Sequence, residues 1–192
     1  MLDDVTLDGR LTERPGELEV TYTITNDGRV DLGVFNRLQG IAVDGGLDFT
    51  PDAVFVDLEE GLLRLSKMAL PVPKGLSISA YIPPHASRVP AGESRTETFV
   101  VRLPAKVRQP FKRALIKGEV RAEKPEKARA VELSLGVFPA GADVRLVAEH
   151  PAFPDVLTVI TPGPALAGQV ALTRRFTLTA EIDVLDYVGH PW

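Results

Sequence analysis

The sequence predicts an all-β protein, an antiparallel β-sandwich with little or no helix. Three observations predict it. In residues 18–26, Leu18, Val20, Tyr22 and Ile24 alternate with Glu19, Thr21, Thr23 and Thr25, the period of a strand with one buried face. Similar runs recur toward the C-terminus, separated by turn residues; 16 Gly and 16 Pro among 192 residues suit a chain with many turns. No segment of convincing length repeats apolar residues at helical spacing.

The elements follow in order. Residues 5–11 read as a short strand with a kink or turn at Asp8-Gly9. Residues 18–26 end in Asn26-Asp27-Gly28-Arg29, residue types that accept positive φ cheaply. Val30, Leu32 and Val34 then restart the alternation, so 18–26 and 30–38 are expected to pair as a β-hairpin. Residues 54–58 and 63–67 read as two strands joined across Glu59-Glu60-Gly61; a short helix over 62–68 is the alternative, because so short an apolar run does not fix its period. A strand over 77–82 stops at Pro83-Pro84. Pro90-Ala91-Gly92-Glu93 turns the chain into a strand over 94–103, with Arg95, Glu97, Phe99 and Val101 on one face. Later strands are expected over 112–122, 130–138, 143–149, 156–160 and 169–185, with a turn at Pro125.

The 169–185 run is longer than the usual ~5–6 residues. Val170, Leu172, Phe176, Leu178, Ala180, Ile182 and Val184 share a face with Arg174 as the intruder. An unpaired buried charge is too costly to keep. A bulge at Arg174-Arg175 is therefore expected, with a buried carboxylate pair as the alternative. Tyr22, Ile24, Phe99, Leu133, Phe176 and Leu178 are the expected core. One unit over 1–192 is expected, with 104–110 the best boundary if there are two lobes.

Composition excludes several chemistries. With 44% hydrophobic and 25% charged residues the chain can bury a core. It has no cysteine, so disulfides, zinc–thiolate sites and thiol nucleophiles are excluded. No apolar run approaches the ~20 residues of a membrane span. There is no basic-then-apolar leader; strand-like residues begin at Val5. That suits a processed periplasmic or envelope protein, the expectation taken here, and equally a cytoplasmic one. The net charge of −4 argues against general nucleic-acid affinity.

Tyr22-Thr23-Ile24-Thr25-Asn26-Asp27-Gly28, followed by Val89-Pro90-Ala91-Gly92-Glu93-Ser94, resembles bacterial immunoglobulin-like and fibronectin-III-like modules. The resemblance covers about the first half of the chain and lies mainly in turn chemistry. It implies an immunoglobulin-like sandwich and an envelope setting, and it carries over no catalytic residue. The Cys–Trp–Cys signature of antibody domains is absent.

Candidate site residues are few. His85, His150 and His190 each neighbour a proline and lack the local spacing of a metal pair. Drawn together from distant loops, with Asp44 or Asp155, they would make a metal-dependent or hydrolytic protein, the rival to a non-catalytic one. No nucleophile elbow or phosphate-cradling glycine loop occurs. Asp44, Asp48, Asp52 and Asp57 cluster, but their spacing fits no EF-hand. Tyr81, Tyr187 and Trp192 are the poor material for a sugar platform. The strongest charge feature is 105–129, with nine basic residues against three acids, so the rest of the chain carries −10. Lys106, Arg108, Lys112, Arg113, Lys117 and Arg121 are the candidate surface for a protein or anionic partner. A solvated hairpin face explains the same run. Only Phe111 lies there for base stacking, so no nucleic acid is expected. No cofactor and no enzymatic activity are expected, and the sequence leaves the oligomeric state open.

Overall fold

A computed structural model describes residues 2–38, 40–41, 47–72, 74, 84–109, 111, 124–150, 153–160 and 162–186. The strands are β1 (Val5–Arg14), β2 (Glu17–Asn26), β3 (Leu32–Arg37), β4 (Gly40–Ile41), β5 (Leu47–Asp48), β6 (Phe55–Glu59), β7 (Leu62–Lys67), β8 (His85–Val89), β9 (Ser94–Arg102), β10 (Ala105–Lys106), β11 (Lys124–Pro139), β12 (Leu146–His150), β13 (Phe153–Val159) and β14 (Val170–Asp186). One short helix, α1 (Pro162–Ala167), precedes β14. The fold is all-β.

Two main sheets carry these strands. The smaller is antiparallel, in the order β1-β2-β9. The larger runs β10-β14-β11-β3-β8-β13-β12. β11 is its axis: β14 pairs with it antiparallel, β7 pairs parallel at 130–135 and β3 antiparallel at 136–139. β6 and β7 form the expected hairpin, turning at Glu60 (φ 51°) and Gly61 (φ 80°). Two successive positive φ values are what a two-residue hairpin of this hand requires.

The principal core joins both sheets. Leu18, Val20, Tyr22, Ile24, Phe99 and Val101 of the small sheet form one buried cluster with Leu63, Leu65, Val131, Leu133, Leu135, Ile182 and Val184 of the large one. Each such side chain stabilises the fold by roughly 1.5–3 kcal/mol through lost apolar contact with water. The other face of the small sheet is wet. There Thr21 pairs with Thr98, Thr23 with Thr96 and Thr25 with Ser94 through hydroxyls 2.8–3.0 Å apart. A second, smaller cluster of Phe35, Phe138, Ala86, Val159 and Ala165 lies under α1. β3 is therefore buried on both faces, which removes its alternation.

Four expectations need correction. β2 and β3 do not pair: β2 lies between β1 and β9, and β3 between β11 and β8. The chain changes sheet at Asn26, a fully buried side chain whose amide donates to the carbonyls of Val30, Val89 and Pro90 and accepts from Gly28 N–H. Asp8-Gly9 is no kink, since β1 runs through it paired to Thr23 and Tyr22. A Cβ at Gly9 would stand 3.1 Å from Thr21 O and 3.2 Å from the Phe176 ring, so glycine lets these neighbours lie close. Pro125 lies inside β11, opposite Leu185, near the strand's start, where a missing N–H is tolerated.

The fourth concerns β14. Its ladder with β11 continues unbroken through Arg174, paired to Leu133. The Arg174 side chain is 49% exposed and stands 3.4 Å from Asp8. Neither a bulge at 174–175 nor a buried pair is present; Leu172 and Phe176 pack at the margin of the principal core, and Arg174 between them reaches solvent beside Asp8 of β1. The irregularity lies further on. Ala128 pairs with Ile182 and Ala130 with Thr177, so residues 178–181 oppose Arg129 alone. Phe176 is only half-buried. Tyr22, Ile24, Phe99, Leu133 and Leu178 are buried as expected. The strand expected over 77–82 lies outside the described residues.

Candidate functional site

Among the described residues, a group of ionisable side chains lies against the principal core. Tyr22 comes from β2, Glu97 and Arg95 from β9, Asn36 and Arg37 from β3, and Lys67 from the end of β7. The alternation that buries Leu63 and Leu65 carries Lys67 inward, and that of Phe99 and Val101 carries Glu97 inward.

Glu97 is the hub. Its Oε2 accepts from the Tyr22 hydroxyl and from Arg37 Nη1, both at 2.7 Å. Its Oε1 accepts from Arg37 Nη2 at 2.7 Å and from Arg95 Nε at 2.9 Å. The Arg37 contact is a bidentate fork, the strongest form of such a pair. Arg95 Nη2 lies 3.8 Å from the exposed Asp155. Burial pushes the Glu97 carboxyl up, but the bonds and charge of Arg37, helped by Tyr22 and Arg95, outweigh it and hold it at about 2. Burial and the adjacent Glu97 charge push the Tyr22 hydroxyl well above its ordinary 10.

Lys67 is 0% exposed. Its Nζ donates to Pro51 O and, at 3.4 Å, to Asn36 O, and it stands 4.4 Å from the centre of the Phe99 ring. Burial lowers its amine from 10.5 to about 7, against the raising influence of Glu97. The Asn36 carboxamide stands beside the Tyr22 hydroxyl, yet neither of its polar atoms closes a well-formed hydrogen bond.

The structure separates the residues singled out from sequence. His85 is buried in β8, its Nδ1 3.2 Å from Thr158 Oγ1 and its ring edge-on to Phe49 at 5.0 Å. His150 ends β12, paired to Phe153. His190 lies outside the described residues. Among the described residues no group of three or more His, Asp or Glu side chains could hold a metal ion. Asp52 Oδ1 accepts from Val100 N–H and Asp57 Oδ1 from Leu58 N–H; Asp44 lies outside the described residues. So do Tyr81, Tyr187 and Trp192.

Of the basic surface, Lys106 is exposed in β10 and Arg108 is half-buried, its backbone bridged to Val56. Lys112, Arg113, Lys117 and Arg121 lie outside the described residues. Lys127 pairs with Asp183 at 2.7 Å and Arg129 with Glu181 at 2.8 Å, so acids of β14 neutralise this end of the run. Two of the surface cavities are lined by described residues. One of about 520 Å³ is lined by Leu103, Pro104, Pro125, Ile182 and Leu185. The other, of about 260 Å³, lies around Asn26, Val30 and Leu32. Neither reaches Lys67 or Glu97. Among the described residues no helix is long and apolar enough to cross a membrane. No family model matches the chain, and neither does any curated protein or solved structure.

Proposed function

We propose that this protein is a non-catalytic binding or assembly module of a bacterial cell envelope, built as a sandwich of immunoglobulin-like type in which the larger sheet is mixed rather than purely antiparallel. One observation carries the reading: the buried ionic cluster spends its strongest bonds on itself. Glu97 is saturated by Arg37, Arg95 and Tyr22, and Lys67 is turned onto backbone carbonyls. A catalytic acid, base or nucleophile needs a reacting atom within hydrogen-bond reach, and here those positions are taken by groups of the protein itself. The sandwich reading is supported by the core shared between the two sheets. Its immunoglobulin-like form is favoured by a contact between the two segments that carry the resemblance. Asn26 N–H donates to Glu93 O, Gly92 N–H donates to Asn26 O, and the Asn26 amide reaches Pro90 O.

A partner of protein or anionic character is assigned to the surface that begins at Lys106 and Arg108. Fractionation of source cells followed by photo-cross-linking from position 106 tests this. A discrete adduct in the envelope fraction is expected. The reading fails if the protein is recovered with cytoplasmic markers. It fails equally if purified protein carries stoichiometric zinc or copper that is lost on His85→Ala with His150→Ala.

A further inference from the structure

Residues 49–54, between β5 and β6, form a strap over the end of the core where the ionic cluster lies. Phe49 is buried edge-on against the His85 ring. Pro51 O accepts from Lys67 Nζ. Asp52 Oδ1 accepts from Val100 N–H at 2.8 Å, and Ala53 and Val54 are buried. The strap thus covers the outer edge of β9 at Val100 and helps keep water from Lys67.

The groups around the Lys67 amine decide what a proton does there. Glu97 from β9, Arg37 from β3 and Asp52 from the strap act on it directly. Tyr22 from β2, Arg95 from β9, Asp155 from β13 and His85 from β8 are the other titratable or charged groups nearby. Glu97 is already occupied by two guanidinium groups and a phenol. A neutral amine is satisfied by two donated bonds. An ammonium brings a third N–H and a full charge without a carboxylate of its own, so protonation favours whichever state admits water to the nitrogen. β3, β7 and β9 are fixed by backbone ladders. The strap is fastened chiefly by the side-chain contacts just given, so it is the part that yields.

We propose that Lys67 is a proton-operated latch: a neutral amine holds the 49–54 strap shut, and protonation shifts the equilibrium toward an open form in which Lys67 is hydrated and the Val100 N–H at the β9 edge is freed. The closed amine titrates at about 7, the open one near the ordinary 10.5. Between those values opening takes up one proton, so the open population grows about tenfold for each unit of pH lost. Below about 7 the closed amine is itself protonated and the growth stops.

Millisecond-pulse hydrogen exchange of the strap and Val100 amides, corrected for intrinsic exchange, reads this opening from about pH 6 to about pH 9.5. About a tenfold rise per unit toward neutrality is expected in the wild type, with a flat profile in Lys67→Met. A flat wild-type profile overturns the latch, as does the same slope in both proteins. Should Lys67→Met not fold, the wild-type Lys67 Cε resonance decides. Its titration midpoint must coincide with the pH at which opening levels off; titration alongside the exposed lysines overturns the proposal.

Discussion

Glu97 holds two cations and a phenol in a largely apolar core, and each partner should respond differently to mutation. Glu97→Ala leaves the Arg37 guanidinium, 11% exposed, without its counter-charge, a loss of about 3–5 kcal/mol for a buried pair. Tyr22→Phe removes one of four bonds to Glu97 and should cost about 1 kcal/mol. Urea midpoints rank the two, and equal small shifts would show that water reaches the site. The pH profile follows from the same groups. Glu97, held at about 2 against an ordinary 4.5, stabilises fully above 4.5 and loses this as pH falls toward 2. Lys67 is depressed from 10.5 to about 7, so the unfolded chain holds the extra proton between those values and stability rises with pH across them. Tyr22, raised above 10, stabilises below 10 and loses this as pH rises further. Melting temperature should therefore climb from pH 7 toward 10, and Lys67→Met should abolish the climb. A wild-type melt that is level over that range would place the Lys67 amine in water. The alternation puts Glu97 on the face of Phe99 and Lys67 on the face of Leu65, so the signal for burial was legible. Their convergence was not, because a period of two says which way a side chain points and not which strand it meets.

At the scale of the element, strands were legible and their partners were not. Residues 18–26 and 30–38 have the pattern and the turn chemistry of a hairpin, yet Asn26 uses that turn to pass between sheets. Local turn residues permit a reversal; long-range pairing with β1, β9, β8 and β11 chooses the direction. β14 teaches the same point. Leu178, Ile182 and Val184 point inward, whereas Arg174 lies at the margin of the core, where its side chain reaches past β1 to solvent. The irregularity at 178–181 has its own fastening. Thr179 N–H and hydroxyl donate to the Glu13 carboxylate at 2.7 and 2.8 Å. A bulge leaves ladder groups without partners, and this one borrows a carboxylate from the other sheet. Glu13→Ala should lower stability by about 1 kcal/mol, the low end for an exposed charged bond. It should also speed amide exchange at Thr179 more than at Leu135, and uniform exchange would deny the bulge any local role. Phe176→Ala should cost about 2 kcal/mol, less than the ~3–5 of a fully buried Phe, because its ring is half-exposed against Gly9.

For the whole molecule, the question is whether the two sheets fold as one body. The principal cluster takes residues from both, from Val5 in β1 to Val184 in β14. The small sheet keeps no covered face without the large one: the inner face of β1-β2-β9 packs in the shared cluster, and its outer face is a hydroxyl ladder in water. Residues 105–108 are stitched into the large sheet on two sides. Ala105 and Lys106 pair with β14, and Arg108 exchanges two backbone bonds with Val56. A chain so arranged should unfold in one cooperative step. Leu133, at the centre of the shared cluster and 0% exposed, is the residue to test. Leu133→Ala should cost about 2–5 kcal/mol. The small sheet, read by the backbone amide resonances of Val20 and Tyr22, should then melt at the same lowered temperature as the large sheet, read at Leu135 and Val184. Two separate transitions, with only the large-sheet resonances displaced by the substitution, would mean that the sheets are independent lobes and that the shared core does not couple them.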